Sequence, residues 1–141
     1  MTRQQQWAKE AYARVLSKKG STEEAKYKTL CMTTPALLQK SGLVQGLAFL
    51  WSRDQDKPDR PSVGKGFMDD LAEVYDRTLG QGKGNGKGYR DHAPGRKLMK
   101  TAQRQELAGY MAMTADLIDV AIWFRRFAQA ELQGDHANEE V

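Results

Sequence analysis

Leu117-Ile118-Asp119-Val120-Ala121-Ile122-Trp123-Phe124 is apolar at every position except Asp119. The stretch lies in a helix that we predict over residues 114–133, with Thr114 as its N-terminal cap and Gly134 as the residue that ends it. A helix that is apolar on nearly all sides is usually buried. The stretch therefore predicts a helix that runs through the centre of a helical core.

Apolar residues recur at helical spacing along the rest of the chain, and no alternating strand pattern of useful length is present. Thr2 caps the first predicted helix, Gly20 ends it, and residues 21–24 form a capping box before the second. Pro35 is expected to interrupt that second helix and to begin a short one that stops at Gly42. Besides these two, the predicted helices cover residues 3–18, 43–53, 64–79 and 98–112, together with the helix over residues 114–133 described above. The pattern predicts an all-α, single-domain bundle of five to seven helices over residues 1–141.

Length and composition are those of an ordinary soluble domain. The chain has 141 residues, 40% hydrophobic and 28% charged, which suffices for one core. No apolar run approaches the ~18 residues of a membrane span, and the first six residues lack the apolar region of a secretory signal. Cys31 is the single cysteine, which excludes an intramolecular disulfide and suits a reducing compartment. We therefore expect a cytoplasmic protein without a membrane partner.

The positive charge is concentrated in one segment. The chain carries a formal net charge of +4, yet residues 80–104 hold seven basic residues and one acid, whereas the remainder holds 15 basic and 17 acidic residues. A cationic segment on a near-neutral body favours an anionic partner, and nucleic acid is the commonest one. A membrane surface, an acidic protein and a solvated basic loop without a partner are the alternatives.

Glycine dominates the start of this segment. Six glycines lie within residues 80–95, so we predict a mobile Gly/Lys-rich loop there, and a polar tail over residues 135–141. The loop does not match a nucleotide-binding motif. Lys83 and Lys87 are each followed by glycine, whereas a Walker A loop needs serine or threonine after its lysine, and the dinucleotide motif needs a preceding strand.

Residues suited to catalysis or metal binding are sparse. Cys31 is expected to be a buried, inert thiol, and His92 and His136 are expected in the loop and the tail. Four carboxylates at helical spacing are expected to be solvated charges, with a metal-dependent nuclease as the enzymatic alternative: Asp69, Asp70, Glu73 and Asp76. We therefore predict a binding or assembly protein that is not an enzyme and that has no cofactor and no metal.

Basic residues in and near the cationic segment are the candidates for contact with nucleic acid. Arg96, Lys100 and Arg104 are spaced by four, which places them along one side of a helix, and Tyr89 could stack on a base. Lysine and arginine on a flexible segment contact phosphates, so no sequence specificity is expected. The candidate RNA-binding residues are Arg14, Lys18, Lys40, Lys83, Lys87, Arg96, Lys97, Lys100, Arg104, Arg125 and Arg126.

Arg125 and Arg126 lie inside the most apolar predicted helix, where two guanidinium groups must find water or carboxylates. A bridge to Asp116 or Asp119 would give them a structural role. Contact with phosphate would give them a binding role, and the sequence favours neither.

Two longer motifs resemble a known family. Residues 35–50 read Pro-Ala-Leu-Leu-Gln-Lys-Ser-Gly-Leu-Val-Gln-Gly-Leu-Ala-Phe-Leu, and the helix capped by Thr114 ends with Trp123-Phe124-Arg125-Arg126-Phe127-Ala128-Gln129-Ala130. They resemble two motifs of the small subunit of the type III-B CRISPR effector, the Cmr complex. In that family a proline precedes Gly-Leu-x-Gln-x-Leu-Ala-Phe, and a late helix carries Trp-Leu-Lys-Arg-aromatic-Ala. Both occur in the family's order, about 75 residues apart.

The resemblance implies a non-catalytic helical subunit of an antiviral CRISPR ribonucleoprotein, whose copies stack along guide RNA and target RNA. The implied partners are guide RNA, target RNA, other Cmr subunits and further copies of the chain. Trp123 would lie in the core, with Arg125 and Arg126 near the RNA channel; Phe124-Arg125 replaces the usual Leu-Lys, and Asp116 stands where Glu is expected. Fold and stacking would use Gly42, Leu43, Gln45, Leu47, Ala48 and Phe49. A free-standing nucleic-acid-binding protein of the nucleoid type is the alternative.

Overall fold

The computed structural model describes residues 1–80 and 91–134. Most of the predicted Gly/Lys-rich loop and all of the predicted polar tail therefore lie outside the described residues. The same holds for the candidate RNA-binding residues Lys83 and Lys87, and for Tyr89 and His136.

Six α-helices form the described part of the chain, which contains no β-strand. They are α1 (Arg3–Lys18), α2 (Glu24–Ser41), α3 (Leu43–Ser52), α4 (Val63–Tyr75), α5 (Ala93–Arg104) and α6 (Leu107–Glu131), with a 3-10 turn at Arg77–Gly80 after α4. The predicted all-α class is confirmed, and the six helices fall within the predicted five to seven.

The local signals around α1 act as predicted. The Thr2 hydroxyl accepts a hydrogen bond from the Gln5 amide at 3.1 Å, and the Gln5 side chain accepts one from the Thr2 amide at 2.8 Å. This reciprocal pair satisfies two amides that a helix N-terminus otherwise leaves unpaired. Gly20 follows the helix with a φ of 82°, a left-handed conformation that glycine adopts without strain.

The prediction that Pro35 begins a new helix is wrong, because α2 continues through it to Ser41. Proline inside a helix removes one backbone hydrogen bond and costs ~3 kcal/mol. Pro35 is nevertheless buried, as are Leu38 and most of the helix face that precedes it. Packing of that face against the rest of the core offsets the local cost. The predicted stop at Gly42 is confirmed, with a φ of 85° there.

The predicted boundary at Thr114 is also wrong. The helical structure is interrupted at Gln105 and Glu106, where extended backbone separates α5 from α6. Thr114 lies inside α6, and its hydroxyl donates a hydrogen bond to the Tyr110 carbonyl at 2.7 Å. Leu107, an apolar residue within the predicted helix 98–112, is 74% exposed. The break carries no glycine or proline, so the sequence offers no local signal that would mark it.

The core lies between α6 and the helices packed on it, chiefly α2 and α1, with α4 also in contact. One face of α6 is buried, and it consists of Met113, Leu117, Val120, Ala121, Phe124 and Ala128. The predicted central position is correct for this face only. Among the described helices α6 alone is long and apolar enough to cross a membrane, a weak indication because core helices of soluble proteins pass the same test.

Candidate nucleic-acid interface

Four basic residues of α5 form a continuous exposed surface, which we name the basic ridge: Arg96, Lys97, Lys100 and Arg104. The opposite side of α5 is buried, with Leu98 and Ala102 in the core against α4 and α3. α5 contains no acidic residue, so its outer side carries only positive charge. The predicted four-residue spacing therefore does produce one cationic face.

Trp51 of α3 joins the basic ridge to the neighbouring helices. The Arg96 guanidinium lies 5.2 Å from the centre of the Trp51 ring, and the Lys65 ammonium of α4 also lies 5.2 Å from it. Lys65 additionally donates to the Trp51 carbonyl at 3.1 Å. Cations at this distance from an indole ring are attracted to its electron-rich face. The Trp51 ring therefore holds one cation from α4 and one from α5 close together beside the basic ridge.

His92, predicted to lie in the mobile loop, lies directly before α5 and is only 2% exposed. Its Nδ1 is 2.8 Å from an Asp69 oxygen, and its Nε2 is 3.2 Å from an Asp56 oxygen. The second Asp69 oxygen accepts a hydrogen bond from the Gly95 amide in the first turn of α5 at 2.9 Å. Burial disfavours the charged ring, but the hydrogen bonds to Asp69 and Asp56 outweigh it and raise the pKa of His92.

The carboxylates of α4 are not the solvated charges that the sequence suggested. Asp70 accepts from the Tyr27 hydroxyl at 2.6 Å and from Arg14 at 2.9 Å, and Glu73 accepts from the same Arg14 nitrogen at 2.8 Å. Their side chains are only 16% and 17% exposed. Burial raises the pKa of Asp70, although Tyr27 and Arg14 favour its charged form. Within residues 1–80 and 91–134, no three His, Cys, Asp or Glu side chains are grouped to hold a metal.

Two candidate RNA-binding residues are engaged inside the protein. Arg14 spans Asp70 and Glu73, and Lys18 pairs with Glu23 at 2.9 Å while its ammonium lies 5.3 Å from the Tyr27 ring centre. Contact with phosphate would compete with these ion pairs. Both residues therefore have a structural role in the described fold.

The remaining candidates lie on other surfaces. Lys40 is exposed in the last turn of α2. Arg126 is exposed, with its guanidinium 5.8 Å from the Trp123 ring centre, and Arg125 is half-buried. Asp116 and Asp119, the carboxylates considered as partners for these arginines, bond α1 instead, with Arg3 on Asp116 and Gln4 on Asp119, each at 3.1 Å.

The residues assigned to fold and stacking divide into two groups. Leu43 and Leu47 are fully buried, and Gly42 supplies the turn between α2 and α3. Gln45, Ala48 and Phe49 are exposed on α3. Phe49 is 45% exposed, and the Arg53 guanidinium lies 5.2 Å from its ring centre. The exposed group lies outside the core.

An exposed apolar surface extends along the N-terminal half of α6. This α6 stripe consists of Leu107, Met111, Ala115 and Ile118. Met111 is 63% exposed, and the shallow groove beside it is lined also by Tyr110 and Thr114. Side chains of this size facing solvent at helical spacing are typical of a surface that a partner covers.

A second apolar surface involves α1 and the C-terminal half of α6. This aromatic patch consists of Tyr12, Leu16, Trp123 and Phe127, all of them partly exposed. The Tyr12 and Phe127 rings meet edge to face at 4.9 Å between centres, and Trp123 stacks on Phe127 at 5.7 Å. Trp123, predicted in the core, is half-buried at the edge of the core. Its Nε1 donates a hydrogen bond to the Gln4 side chain at 2.8 Å.

Comparison with known proteins identifies the family. The model of the family described as "CRISPR-associated protein (Cas_Cmr5)" matches residues 3–131. The CRISPR system Cmr subunit Cmr5 of Thermus thermophilus is 33% identical over 132 residues, which are 94% of this chain and 97% of that protein. The chain belongs to the Cmr5 family. It is therefore a subunit of a CRISPR Cmr complex, and its partners include other Cmr subunits.

The fold agrees with that of the Cmr5 family. The crystal structure of a CRISPR-associated Cmr5 family protein from Thermus thermophilus is similar with a TM-score of 0.73 and 33% sequence identity, and the match covers 94% of this chain and 99% of that one. The predicted resemblance is thereby confirmed. Membership in a family of complex subunits favours this identity over a free-standing nucleoid-type protein.

Sequence reasoning missed several members of the candidate interface of this Cmr5 protein. Trp51 and Lys65 come from α3 and α4, and His92, Asp56 and Asp69 meet from three different segments. A signal exists for His92, since a histidine just before a Pro-Gly helix start is a candidate for anchoring that start. The carboxylates that face it are 36 and 23 residues away in the chain, so no spacing reveals them.

Proposed function

We propose that this Cmr5 protein is a non-catalytic structural subunit of a cytoplasmic CRISPR ribonucleoprotein, in which it holds the RNA backbone without sequence specificity and stacks along guide RNA and target RNA. The observation that carries the RNA-binding part is the basic ridge. It presents four cations and no acid on one exposed helix face.

The chemistry of the ridge suits phosphate. Arg96 and Arg104 are separated by eight residues, so the ridge extends about 12 Å along the helix axis. Lysine and arginine on one convex helix face reach phosphate oxygens, which fix the position of a protein on RNA but carry no base identity. If four phosphates of a single strand are neutralised, log K falls with log salt at a slope of about −3.

A charge-matched comparison tests this role. A variant with Arg96, Lys97, Lys100 and Arg104 changed to Ala is compared with one in which four exposed cations elsewhere are changed to Ala: Lys9, Lys19, Lys26 and Arg77. Both lose the same charge. We expect the ridge variant to bind a fluorescent oligouridine at least about 10-fold more weakly, with a salt slope close to zero, and the control to keep most of the slope. Equal losses in both variants would contradict a localised RNA surface.

The two apolar surfaces support the assembly part of the proposal. At 3.6 residues per turn, the α6 stripe and the α6 members of the aromatic patch lie about 150° apart around the helix and about 18 Å apart along it. A head-to-tail repeat needs two different complementary surfaces on each copy. The α6 stripe of one copy and the aromatic patch of the next meet that requirement.

Mixing two variants tests the assembly. One variant carries Leu107→Ser and Met111→Ser in the stripe, and the other carries Tyr12→Ser and Leu16→Ser in the patch. Each is expected to sediment as a monomer alone, whereas the mixture forms a dimer, because each variant keeps one intact surface. A mixture that stays monomeric where the wild type associates would refute the pairing of these two surfaces.

A further inference from the structure

His92 is placed at the junction between the basic ridge and the body of the protein. It is the N-terminal cap residue of α5, in a left-handed conformation with φ 51° and ψ 42°, and it is almost fully buried. Asp69 comes to it from α4, and Asp56 from the segment between α3 and α4. One buried ring therefore connects three separate parts of the chain.

The geometry requires a charged ring. A neutral imidazole has one N–H and one acceptor nitrogen, whereas an ionised carboxylate can only accept. Both ring nitrogens of His92 face carboxylate oxygens, at 2.8 Å and 3.2 Å. Only the imidazolium donates to both, and on deprotonation one carboxylate would face a lone pair in a buried site, which is unfavourable.

Among the described residues, the charged groups in contact with His92 are two carboxylates, Asp69 of α4 and Asp56 of the segment before α4. Trp51 of α3 meets the ring edge to face at 6.1 Å between centres. The charge of Lys65 favours the ionised form of Asp56. Lys65 and Arg96 are directed to the Trp51 ring, so the two carboxylates are the direct partners of the imidazole.

The same contacts fix the first turn of α5. Asp69 accepts from the Gly95 amide at 2.9 Å, and a Cβ at Gly95 would lie 3.0 Å from both Met68 and Trp51. The turn is therefore packed so closely on α4 and α3 that a side chain at Gly95 would need its neighbours to shift. Arg96 follows directly and lies on Trp51. Any loosening at His92 reaches the first residue of the ridge.

We propose that His92, as an imidazolium between Asp56 and Asp69, is a positioning residue that fixes the basic ridge and makes RNA affinity depend on pH. The inference rests on the proposed RNA-binding role of the ridge. The pKa of His92 is raised, so the stabilisation is complete below the unfolded value of about 6.5 and is lost as pH rises through the folded value. RNA affinity decreases over that same interval.

A clean titration is possible because the chain has only two histidines. In full-length protein carrying His136→Gln, His92 gives the only histidine Hε1 resonance, which NMR follows from about pH 6 to about pH 9. Oligouridine affinity and the thermal midpoint are measured at the same pH values. We expect a His92 titration midpoint above about 6.5, and a loss of RNA affinity of about three- to tenfold through that midpoint.

Two variants separate positioning from general stability. His92→Gln is expected to bind RNA at every pH as weakly as the deprotonated wild type. Asp56→Asn keeps the histidine and the Asp69 contact, and it is expected to lower the titration midpoint and to move the affinity loss to lower pH by the same amount. Circular dichroism confirms that each variant is folded, and the Asp56→Asn shift carries the test if His92→Gln does not fold.

The outcomes distinguish this inference from the proposed function. RNA binding that depends on the ridge but stays flat through the His92 titration overturns the inference alone. A His92 midpoint at or below about 6.5 also overturns it. Failure to bind oligouridine at any pH overturns the RNA-binding role and this inference together.

Discussion

Substitution of Arg14 tests whether a basic residue stabilises the fold or binds RNA. One of its nitrogens bonds both Asp70 and Glu73, at 2.9 Å and 2.8 Å, in a part-buried site. Arg14→Met keeps an unbranched apolar stem but removes the guanidinium group that lies between the Asp70 and Glu73 carboxylates. Breaking one side of a buried pair costs ~3–5 kcal/mol. Because the Arg14 side chain is 32% exposed, we expect about 2–3 kcal/mol, or a decrease of about 5–10 °C in the thermal midpoint.

Urea unfolding followed by circular dichroism measures this loss, and oligouridine binding is measured on the same folded protein. We expect RNA affinity to change by less than about twofold. The matched variant Lys100→Met should give the reverse, with stability within about 0.5 kcal/mol of wild type and weaker RNA binding. Adding Glu73→Gln to Arg14→Met should restore part of the stability by removing the repulsion. Wild-type stability in Arg14→Met, or an RNA loss as large as that of Lys100→Met, would refute the structural assignment of Arg14.

Two further predictions concern the core. A Cβ at Gly64 would lie within 2.5 Å of the Leu50 carbonyl oxygen and closer still to that of Arg53, so we expect Gly64→Ala to lower the free energy of unfolding by about 1–3 kcal/mol. A Cβ at Gly66 in the same helix meets no atom within 4 Å, so Gly66→Ala should raise the free energy of unfolding by about 0.5–1 kcal/mol. Equal effects of the two substitutions in urea unfolding would contradict the close α3–α4 contact. Cys31 is fully buried, and burial raises the pKa of its thiol. We therefore expect the folded protein to react with a thiol reagent only at the rate at which it unfolds. Rapid labelling under native conditions would contradict the buried position of this thiol.

Local signals predicted much of the helical framework correctly. Thr2, Gly20 and Gly42 mark helix boundaries where they were expected, because capping and left-handed turns depend on the few residues involved. The four-residue spacing of Arg96, Lys100 and Arg104 likewise produces one exposed face, since helical periodicity alone determines which residues share a side.

Predictions that depended on the surroundings were less successful. Pro35 remains inside α2 because the packing of its buried face outweighs a local penalty. Leu107 and Met111 are apolar at helical spacing, yet they face solvent, because an apolar side chain at the correct period shows which side it occupies but not whether another helix covers that side. The carboxylates of α4 appeared solvated because their partners, Arg14, Tyr27 and His92, are distant in the chain.

The sequence by itself determined the helical class, the helix boundaries at Thr2, Gly20 and Gly42, the concentration of positive charge and the family, since each depends on composition or on neighbours within a few residues. The capping box predicted at residues 21–24 and the helix end predicted at Gly134 are wrong, because α2 begins at Glu24 without a side-chain cap and α6 ends at Glu131. Only the tertiary structure decided which charged side chains are buried in ion pairs and which are exposed. Arg14 and Lys18 are engaged in internal ion pairs, whereas the basic ridge is exposed, and His92 is enclosed by two carboxylates. The physical reason is that burial and ion pairing are set by groups brought together across the fold, and such contacts leave no periodic trace along the chain.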